Sequence, residues 1–300
     1  MARPNFLVLG APKAGTTSLH HWLGQHPDVL FAEPKEPHFF DAHYGRGLAS
    51  YWDAHFAPNW RGQRAVGEAT PSYLPLGFVA ARIARDLPDC RLIVSLRHPV
   101  DRAYSSWWTL RQAGFEKRSF ERAVLDELQA LTAGITFDGA DGARLYEAQQ
   151  RVLDTGGQLR LTSYVGAGHY VEHLRRYAAL FPPERLTVLL FEDLLADPGA
   201  TARTLWTFLG VDPTIRLTDP TPRNVALGAL PARLYASRPV RSLAAAMPAR
   251  PRRALSRWLT RMSPRPTLHP DTRRLLTEHY RAGNRELERL LGRDLSHWET

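Results

Sequence analysis

The sequence predicts an α/β protein with a central parallel sheet flanked by helices. Four short apolar runs have the composition of buried strands, and runs with apolar residues at 3.6-residue spacing lie between them. Alternating strands and helices are typical of a parallel sheet, whose ligands bind beyond the carboxyl ends of the strands. A glycine-bearing loop follows the first apolar run, where such an edge is expected to bind an anion.

The four predicted strands span residues 6–9, 65–67, 91–96 and 186–191. The main predicted helices span residues 78–87, 100–111, 120–131, 170–180 and 271–291. A helix also follows the glycine-bearing loop and stops near His26 and Pro27, and Asp197 with Pro198 indicates a further helix start. The last helix has an apolar stripe, so we expect it to pack back onto the body of the protein.

Length and charge favour a single domain with a basic extension. The chain has 300 residues, enough for a large core, and we place the core at residues 1–215 and the extension at 216–300. From Arg216 onward there are 17 Arg and no Lys against seven Asp or Glu, so the net charge of +9 arises in this last third. Such basicity suits nucleic acid, a membrane surface or an anionic substrate. The Arg- and Pro-rich residues 238–270 are the weakest candidate for regular structure.

Cysteine content and hydropathy predict a soluble cytoplasmic protein. Cys90 is the single cysteine, so no intrachain disulfide is possible, and we expect a packed thiol rather than a nucleophile. No apolar segment approaches the roughly 20 residues that span a bilayer. The apolar run at residues 6–9 is too short for a secretory signal.

The loop from Gly10 to Thr17 almost matches the Walker pattern, in which a Lys precedes the final Ser or Thr. Here that position holds Thr16, and the loop's one cation is Lys13. A nucleoside triphosphatase needs its Lys after the second Gly, so another phosphate-like ligand is favoured. A tight turn with a solvated Lys is the alternative. The chain has 36 Arg and only three Lys, and an ammonium in a narrow turn is not replaced by an Arg fork.

Polar residues at other strand ends supply further candidates. Arg97 ends the third predicted strand and Ser105 lies in the following helix, where together they could bind a second phosphate group. The alternative is an Arg97–Asp101 ion pair. Glu36 and His38, in a loop stiffened by two prolines, are candidate general bases, although Glu36 could equally be a solvated partner of Lys35 and His38 a capped histidine of the core.

Glu68, at the end of a buried strand, is a candidate for a perturbed pKa, and a purely structural carboxylate is the alternative. The 12 His show no HExxH pattern, and a single Cys cannot build a thiolate site, so no metal is expected.

Several segments then occur in one order along the chain: GAPKAGTTSLHHWLGQHPDV, EPHFF, GLASYWDAHF, GEATPSY, RLIVSLRHPVDRAYSSW, GHYVEHLRRYAALFPPERLTVLLFEDLLADP, LWTFLGV and LLGRDLSHW. Together they resemble the sulfotransferases that use 3′-phosphoadenosine 5′-phosphosulfate (PAPS), in particular the branch of heparan sulfate N- and O-sulfotransferases and their bacterial relatives. The resemblance implies a three-layer sandwich like that of P-loop NTPases. It also implies transfer of a sulfuryl group to a hydroxyl or amine of a glycan, lipid or small metabolite, without a metal.

The resemblance assigns a role to each candidate residue. The 5′-phosphosulfate loop comprises Lys13, Ala14, Gly15, Thr16, Thr17 and Ser18, with Lys13 beside the bridging oxygen. Arg97 and Ser105 correspond to the 3′-phosphate pair, and Arg223 with Asn224 to a basic loop over the cofactor. Glu36 and Glu68 both match carboxylates that act as general base in different members. His38 and Tyr170 fall on the acceptor side.

The chain departs from the family pattern at Ala69, where some O-sulfotransferases carry a Lys. It also lacks the cysteine pair and the membrane anchor of the animal glycan enzymes, so a heparan-modifying role in the Golgi is not expected. Two other function classes remain open at this point: a P-loop-type nucleotide kinase, which Thr16 argues against, and a non-catalytic binder of nucleic acid or anionic membranes through the basic extension. Because acids interrupt that extension, we expect no nucleic-acid partner. The resemblance does not choose an acceptor.

Overall fold

A computed structural model describes residues 3–154, 163–223 and 266–300. Its sheet has five parallel strands in the order β2-β3-β1-β4-β5. The strands are β1 Phe6–Gly10, β2 Val29–Phe31, β3 Ala65–Ala69, β4 Arg91–Leu96 and β5 Leu186–Leu190. The predicted parallel sheet flanked by helices is confirmed.

The described helices are α1 Thr16–Leu23, α2 Gly47–His55, α3 Gly77–Asp86, α4 Pro99–Gln112, α5 Phe120–Thr132, α6 Gly139–Asp154, α7 Tyr170–Ala178, α8 Phe191–Ala196, α9 Pro198–Leu209 and α10 Pro270–Leu291. A π-helical turn, Phe39–His43, follows β2. The predicted helices correspond to α3, α4, α5, α7 and α10 with their ends shifted by at most two residues, and the start of α9 is confirmed.

The sheet is buried on both faces, which makes three layers. On one face Leu7 and Leu9 of β1 belong to a core that includes apolar residues of α3 and α7. On the other face Phe6 and Val8 pack in a core with α1 and α9. Because successive side chains of a strand point to opposite faces, a strand buried on both sides is apolar throughout, as β1 is.

Some local predictions were wrong. The helix after the glycine-bearing loop ends at Leu23 rather than near His26, and β2 was not predicted because an edge strand of three residues is too short to show a period. Phe191, expected to end the fourth strand, instead begins α8, since pairing with β4 stops at Leu190.

The last described helix joins the end of the chain to the body. Helix α10 packs against α7 and α4, as expected, and Arg273 of α10 pairs with Asp101 of α4 at 2.5 Å. Residues 224–265, which hold most of the Arg- and Pro-rich segment, lie outside the described residues, so the division into core and extension stays a prediction. Within the described ranges, no helix is long and apolar enough to cross a membrane.

Candidate active site

The loop between β1 and α1 forms an arch whose backbone is unusual at Lys13 and Gly15, with φ of 70° and 85°. Gly15 can adopt the left-handed region without cost, whereas a side-chain-bearing residue such as Lys13 is strained there. A Cβ at Gly15 would also lie 3.1 Å from the Phe191 ring. The arch is held by β4, because the amide of Ala11 donates to the carbonyl of Ser95 at 2.7 Å and the Ser95 hydroxyl donates to the carbonyl of Ala14 at 2.6 Å.

The N-terminus of α1 opens from this arch without a capping side chain or an acidic residue in its first turn. A capping side chain is present on α4, α5, α9 and α10 and absent on α2, α3, α7 and α8, so the bare N-terminus of α1 is distinguished by its place beside Lys13. The first amides of a helix have no acceptor within the helix, and the helix dipole favours negative charge there. An uncapped N-terminus beside Lys13 is therefore suited to bind an anion.

Arg97 brings a second cation to the same edge of the sheet. Its guanidinium lies 4.8 Å from the ring centre of Phe191, and its Nη1 donates to the carbonyl of Lys13 at 3.3 Å. The Phe191 ring thus lies next to both Gly15 and Arg97, at the point where β5 becomes α8. Phe191 was not among the site residues predicted from the sequence, although its place at a strand end was a signal.

The alternative pairing of Arg97 with Asp101 is wrong, because Asp101 pairs with Arg273 of α10. Ser105 lies in the second turn of α4 and is half-buried. Its main-chain carbonyl accepts the hydroxyl of Thr109. The 3′-phosphate role of Arg97 and Ser105 stays a prediction.

The segment leading to Arg223 lies along α1. The amide of Arg223 donates to the Ser18 hydroxyl at 2.9 Å, and Asp219 accepts from both Arg223 and His21, at 2.5 and 3.1 Å. Thr16 and Ser18 are buried, whereas Thr17 is exposed. The structure therefore brings Arg223 to the helix that begins at the arch, while Asn224 lies outside the described residues.

The loop after β2 holds Glu36 with its side chain 40% exposed. Lys35 Nζ lies 2.5 Å from Glu36 Oε1, and His38 Nε2 lies 3.8 Å from Glu36 Oε2. Glu36 and His38 have φ of 61° and 53°. Lys13, Glu36 and His38 are the positive-φ residues other than glycine in the described ranges. Such strain persists where surrounding structure imposes it and is concentrated at functional sites.

His38 is oriented by a buried carboxylate. Its Nδ1 lies 2.9 Å from Oδ2 of Asp41, which also accepts from Ser72 at 2.6 Å and Tyr146 at 2.9 Å. Burial lowers the pKa of His38, but the hydrogen bond and charge of Asp41, together with Glu36, outweigh it and raise the pKa. Burial raises the pKa of Asp41, and the hydrogen bond from His38 and the two hydroxyls reverse that effect, so the pKa is lowered. These surroundings favour the charged form of the imidazole more than water does.

Glu68, near the end of β3, is buried, in contrast to Glu36, and is 1% exposed. Its carboxylate accepts hydroxyls from Tyr51 at 2.6 Å, Tyr73 at 2.8 Å and Thr70. Burial raises the pKa of Glu68 to about 7, against these three hydrogen bonds. The Tyr73 hydroxyl also accepts the amide of Phe40, so this cluster supports the loop that carries His38.

Tyr170 is buried, at 1% exposure, and its hydroxyl donates to the carbonyl of Arg97 at 2.8 Å. Tyr170 therefore contacts Arg97, the residue assigned to binding of the sulfuryl donor. Its expected place near the sulfuryl acceptor stays a prediction. No group of three or more His, Cys, Asp or Glu in the described part of the chain is arranged to hold a metal.

Comparison with known proteins places this geometry in a family context. The family model described as "Sulfotransferase domain" matches residues 3–225. A solved sulfotransferase from Alicyclobacillus acidocaldarius superimposes with a TM-score of 0.69 and 27% identity over the whole length of both chains. The predicted P-loop-like three-layer fold is thus shared with a known sulfotransferase.

Curated relatives extend the likeness. The chain is 31% identical over 208 residues to heparan sulfate glucosamine 3-O-sulfotransferase 3B1 of Mus musculus, covering 69% of this chain and 46% of that protein, so it spans about half of that relative's length. It is 28% identical to bifunctional heparan sulfate N-deacetylase/N-sulfotransferase 2 of Bos taurus, over 72% of this chain and 23% of that protein.

A third relative corrects one expectation. Membrane-associated sulfotransferase kil1 of Dictyostelium discoideum is 24% identical, over 74% of this chain and 59% of that protein. Together with the heparan sulfate enzymes it contradicts the cytoplasmic location expected from the sequence, which was inferred from the single cysteine, the lack of a long apolar segment and the short apolar run near the start. The family prediction is confirmed: the chain belongs to the sulfotransferase domain family.

Proposed function

We propose that the protein transfers a sulfuryl group from PAPS to a hydroxyl or amine of a glycan. The observation that carries this proposal is the meeting of the uncapped α1 N-terminus, Lys13 and Arg97 at one edge of the sheet. One cation is in the arch and the other ends the neighbouring strand β4, as suits a ligand with separate 5′ and 3′ anionic groups. The family relationship supports the same donor.

The arch, Lys13, Ala14, Gly15, Thr16, Thr17 and Ser18, suits the 5′-phosphosulfate. Arg97 offers a planar fork of donors for the 3′-phosphate, with Ser105 of α4 as the second contact. Arg223, tied to Ser18 through its amide, would close the donor site from the side of α1. No described residue group suggests a metal at this edge, where two cations and the helix amides oppose part of the donor's negative charge.

Glu36 is the better candidate for the general base. A base must reach the proton that it removes, and Glu36 is partly exposed on a loop whose backbone is held in a strained conformation. Glu68 is buried and its oxygens are occupied by three hydroxyl groups, so it suits a supporting role beneath the loop. His38, oriented by Asp41, would orient Glu36.

In the proposed step, the acceptor oxygen or nitrogen forms a bond to sulfur while Glu36 takes its proton. The bond between sulfur and the bridging oxygen breaks in line, and the electron pair goes to the 5′-phosphate of adenosine 3′,5′-bisphosphate. Lys13 and the α1 amides stabilise the charge that develops on this leaving oxygen. Preorganised donors of this kind contribute about 3 to 4 kcal/mol each in comparable sites.

A glycan is the preferred acceptor among those considered. Two relatives are named for heparan sulfate, and one covers 69% of this chain at 31% identity. Ala69, where some O-sulfotransferases carry a Lys, lies beside the buried Glu68 rather than on the loop of Glu36, so it does not count against a glycan acceptor when Glu36 is the base. A lipid or small-metabolite acceptor is therefore a second choice without a specific contact in its favour.

The test uses thermal shift with adenosine 3′,5′-bisphosphate and, separately, with magnesium ATP. We expect stabilisation by the bisphosphate only, and transfer of labelled sulfate from PAPS to desulfated heparan chains. Lys13→Ala should abolish nearly all transfer, whereas Lys117→Ala, at an exposed lysine outside the site, should leave it unchanged. Stabilisation by magnesium ATP without the bisphosphate would contradict the proposal and favour a nucleotide kinase.

A further inference from the structure

The turn Ser296–Glu299, which follows α10, inserts a completely buried tryptophan, Trp298, near the end of β4. The ring of Trp298 lies 6.2 Å from the His98 ring and 6.0 Å from the Tyr170 ring, measured between centroids. The Trp298 Nε1 has no hydrogen-bond partner among the described residues. Packing therefore holds this side chain in place.

Both neighbours of Trp298 fix the main chain of Arg97. The Tyr170 hydroxyl donates to the Arg97 carbonyl at 2.8 Å. His98, the next residue, caps α4 by accepting the amide of Val100 at 3.2 Å through Nδ1. The end of β4 is thus fixed on both sides by residues that pack on Trp298.

The end of the chain also contacts α8, the helix that packs against the guanidinium of Arg97. Arg293, just after α10, pairs with Asp193 of α8 at 2.6 Å. Helix α8 begins with Phe191, whose ring lies 4.8 Å from the Arg97 guanidinium carbon. The turn itself is tied back to α10, since Glu299 accepts from Arg285 at 2.9 and 3.2 Å.

We propose that the Ser296–Glu299 turn is a positioning element for Arg97, and that Trp298 sets the selectivity of the donor site for a 3′-phosphate. This inference depends on the proposed function, in which Arg97 binds that phosphate. Arg has a long flexible side chain, and paired hydrogen bonds to a phosphate require its planar fork to start from a fixed backbone. The turn supplies that fixed backbone from a segment roughly 200 residues away along the chain.

The test compares the dissociation constants of two probes by calorimetry: adenosine 3′,5′-bisphosphate and adenosine 5′-monophosphate, which lacks the 3′ group. For Trp298→Ala we expect affinity for the bisphosphate to fall by about 10- to 100-fold, the range of a lost hydrogen bond to a charged group, with little change for the monophosphate. Trp298→Phe should restore selectivity, because the indole nitrogen makes no hydrogen bond among the described residues.

A second variant tests the proposal even if Trp298→Ala does not fold. Tyr170→Phe keeps the ring on Trp298 and removes only the hydrogen bond to the Arg97 carbonyl. We expect a selective loss of bisphosphate affinity of about 2- to 10-fold. The control is Leu290→Ala, at a residue of α10 that is 49% exposed.

The outcomes separate this inference from the proposed function. Equal losses for both probes, or no loss in Trp298→Ala and Tyr170→Phe, would overturn the positioning role while leaving the function intact. If the unaltered protein bound the monophosphate as tightly as the bisphosphate, the 3′-phosphate site and therefore the proposed function would fail.

Discussion

Two glutamates lie at successive strand ends of this sheet, and their surroundings are opposite. Glu36 follows β2 on a loop with left-handed backbone at two positions, is partly exposed, and contacts a lysine and a histidine. Glu68 ends β3, is 1% exposed, and accepts three hydroxyl groups. From sequence alone the two were equal candidates for the general base.

The difference teaches that a raised pKa does not identify a base. Burial raises the pKa of Glu68 to about 7, which would suit a base at neutral pH. The same burial keeps an acceptor from its oxygens, and the three hydroxyls take three of the roughly four positions at which a carboxylate accepts hydrogen bonds. Access and imposed geometry therefore favour Glu36, and the substitutions below can break this comparison or sharpen it.

The largest effect is expected for Glu36→Gln. The amide keeps the size of the side chain and cannot take the acceptor proton, so turnover should fall by about 10²- to 10⁴-fold. Affinity for adenosine 3′,5′-bisphosphate should stay the same, because the arch and Arg97 are unaltered. Sulfate transfer and calorimetry on one preparation measure both. Full turnover in Glu36→Gln, with loss in Glu68→Gln at unchanged stability, would reverse the comparison.

Glu68→Gln should change the pH dependence of stability rather than the chemistry. A carboxyl whose pKa is raised from 4.5 to about 7 in the folded state stabilises it fully below pH 4.5, and this contribution is lost as the pH rises towards 7. The loss amounts to about 3 kcal/mol of unfolding free energy. The amide side chain of the variant cannot ionise, so denaturant unfolding at a series of pH values should show a flatter dependence in Glu68→Gln. An identical slope in both proteins would contradict the buried environment of Glu68.

Asp41→Asn should remove the negative charge that stabilises the charged form of His38. In the unaltered protein the raised pKa of His38 stabilises the fold below pH 6.5. This stabilisation is lost as the pH rises through the pKa that His38 has in the folded protein. The lowered pKa of Asp41 stabilises the fold above pH 3.8. This stabilisation is lost as the pH falls through the pKa that Asp41 has in the folded protein. Without the carboxylate, the two raising effects of Asp41 are gone while burial still opposes the charge, so the pKa of His38 should fall in an NMR titration.

Turnover of Asp41→Asn should fall by about 10-fold, the effect of losing one hydrogen bond to a charged group at its lower limit. Ser72→Ala removes another hydroxyl from the same carboxylate oxygen while keeping its charge, and serves as the control. An unchanged pKa of His38 in Asp41→Asn would show that the buried carboxylate does not act on the imidazole.

Much of the fold and part of the site could be predicted from sequence because the signals are local. The apolar strands, the glycine-bearing arch and the polar strand ends lie within short stretches, so periodicity and motif spacing reveal them. Contacts between distant residues leave no such local signal: Asp101 with Arg273, Arg97 over Phe191, and the hydroxyls of Tyr51 and Tyr73 on Glu68. The contact of Asp101 with Arg273 argues against an Arg97–Asp101 ion pair, and the hydroxyls on Glu68 bear on the choice of base, while the 3′-phosphate role of Arg97 stays a prediction.

The smallest effect is expected for Lys35→Met. Lys35 and Glu36 are 22% and 40% exposed, so water and salt screen their ion pair, and its loss should change unfolding free energy by at most about 1 kcal/mol. That difference should vanish near 1 M salt, where the screening length is about 3 Å. Lys117→Met, at an exposed lysine outside the site, is the matched control. A loss of turnover as large as that of Glu36→Gln would mean that Lys35 acts on the transferred group itself, and the Glu36 loop would then supply two reacting residues rather than one.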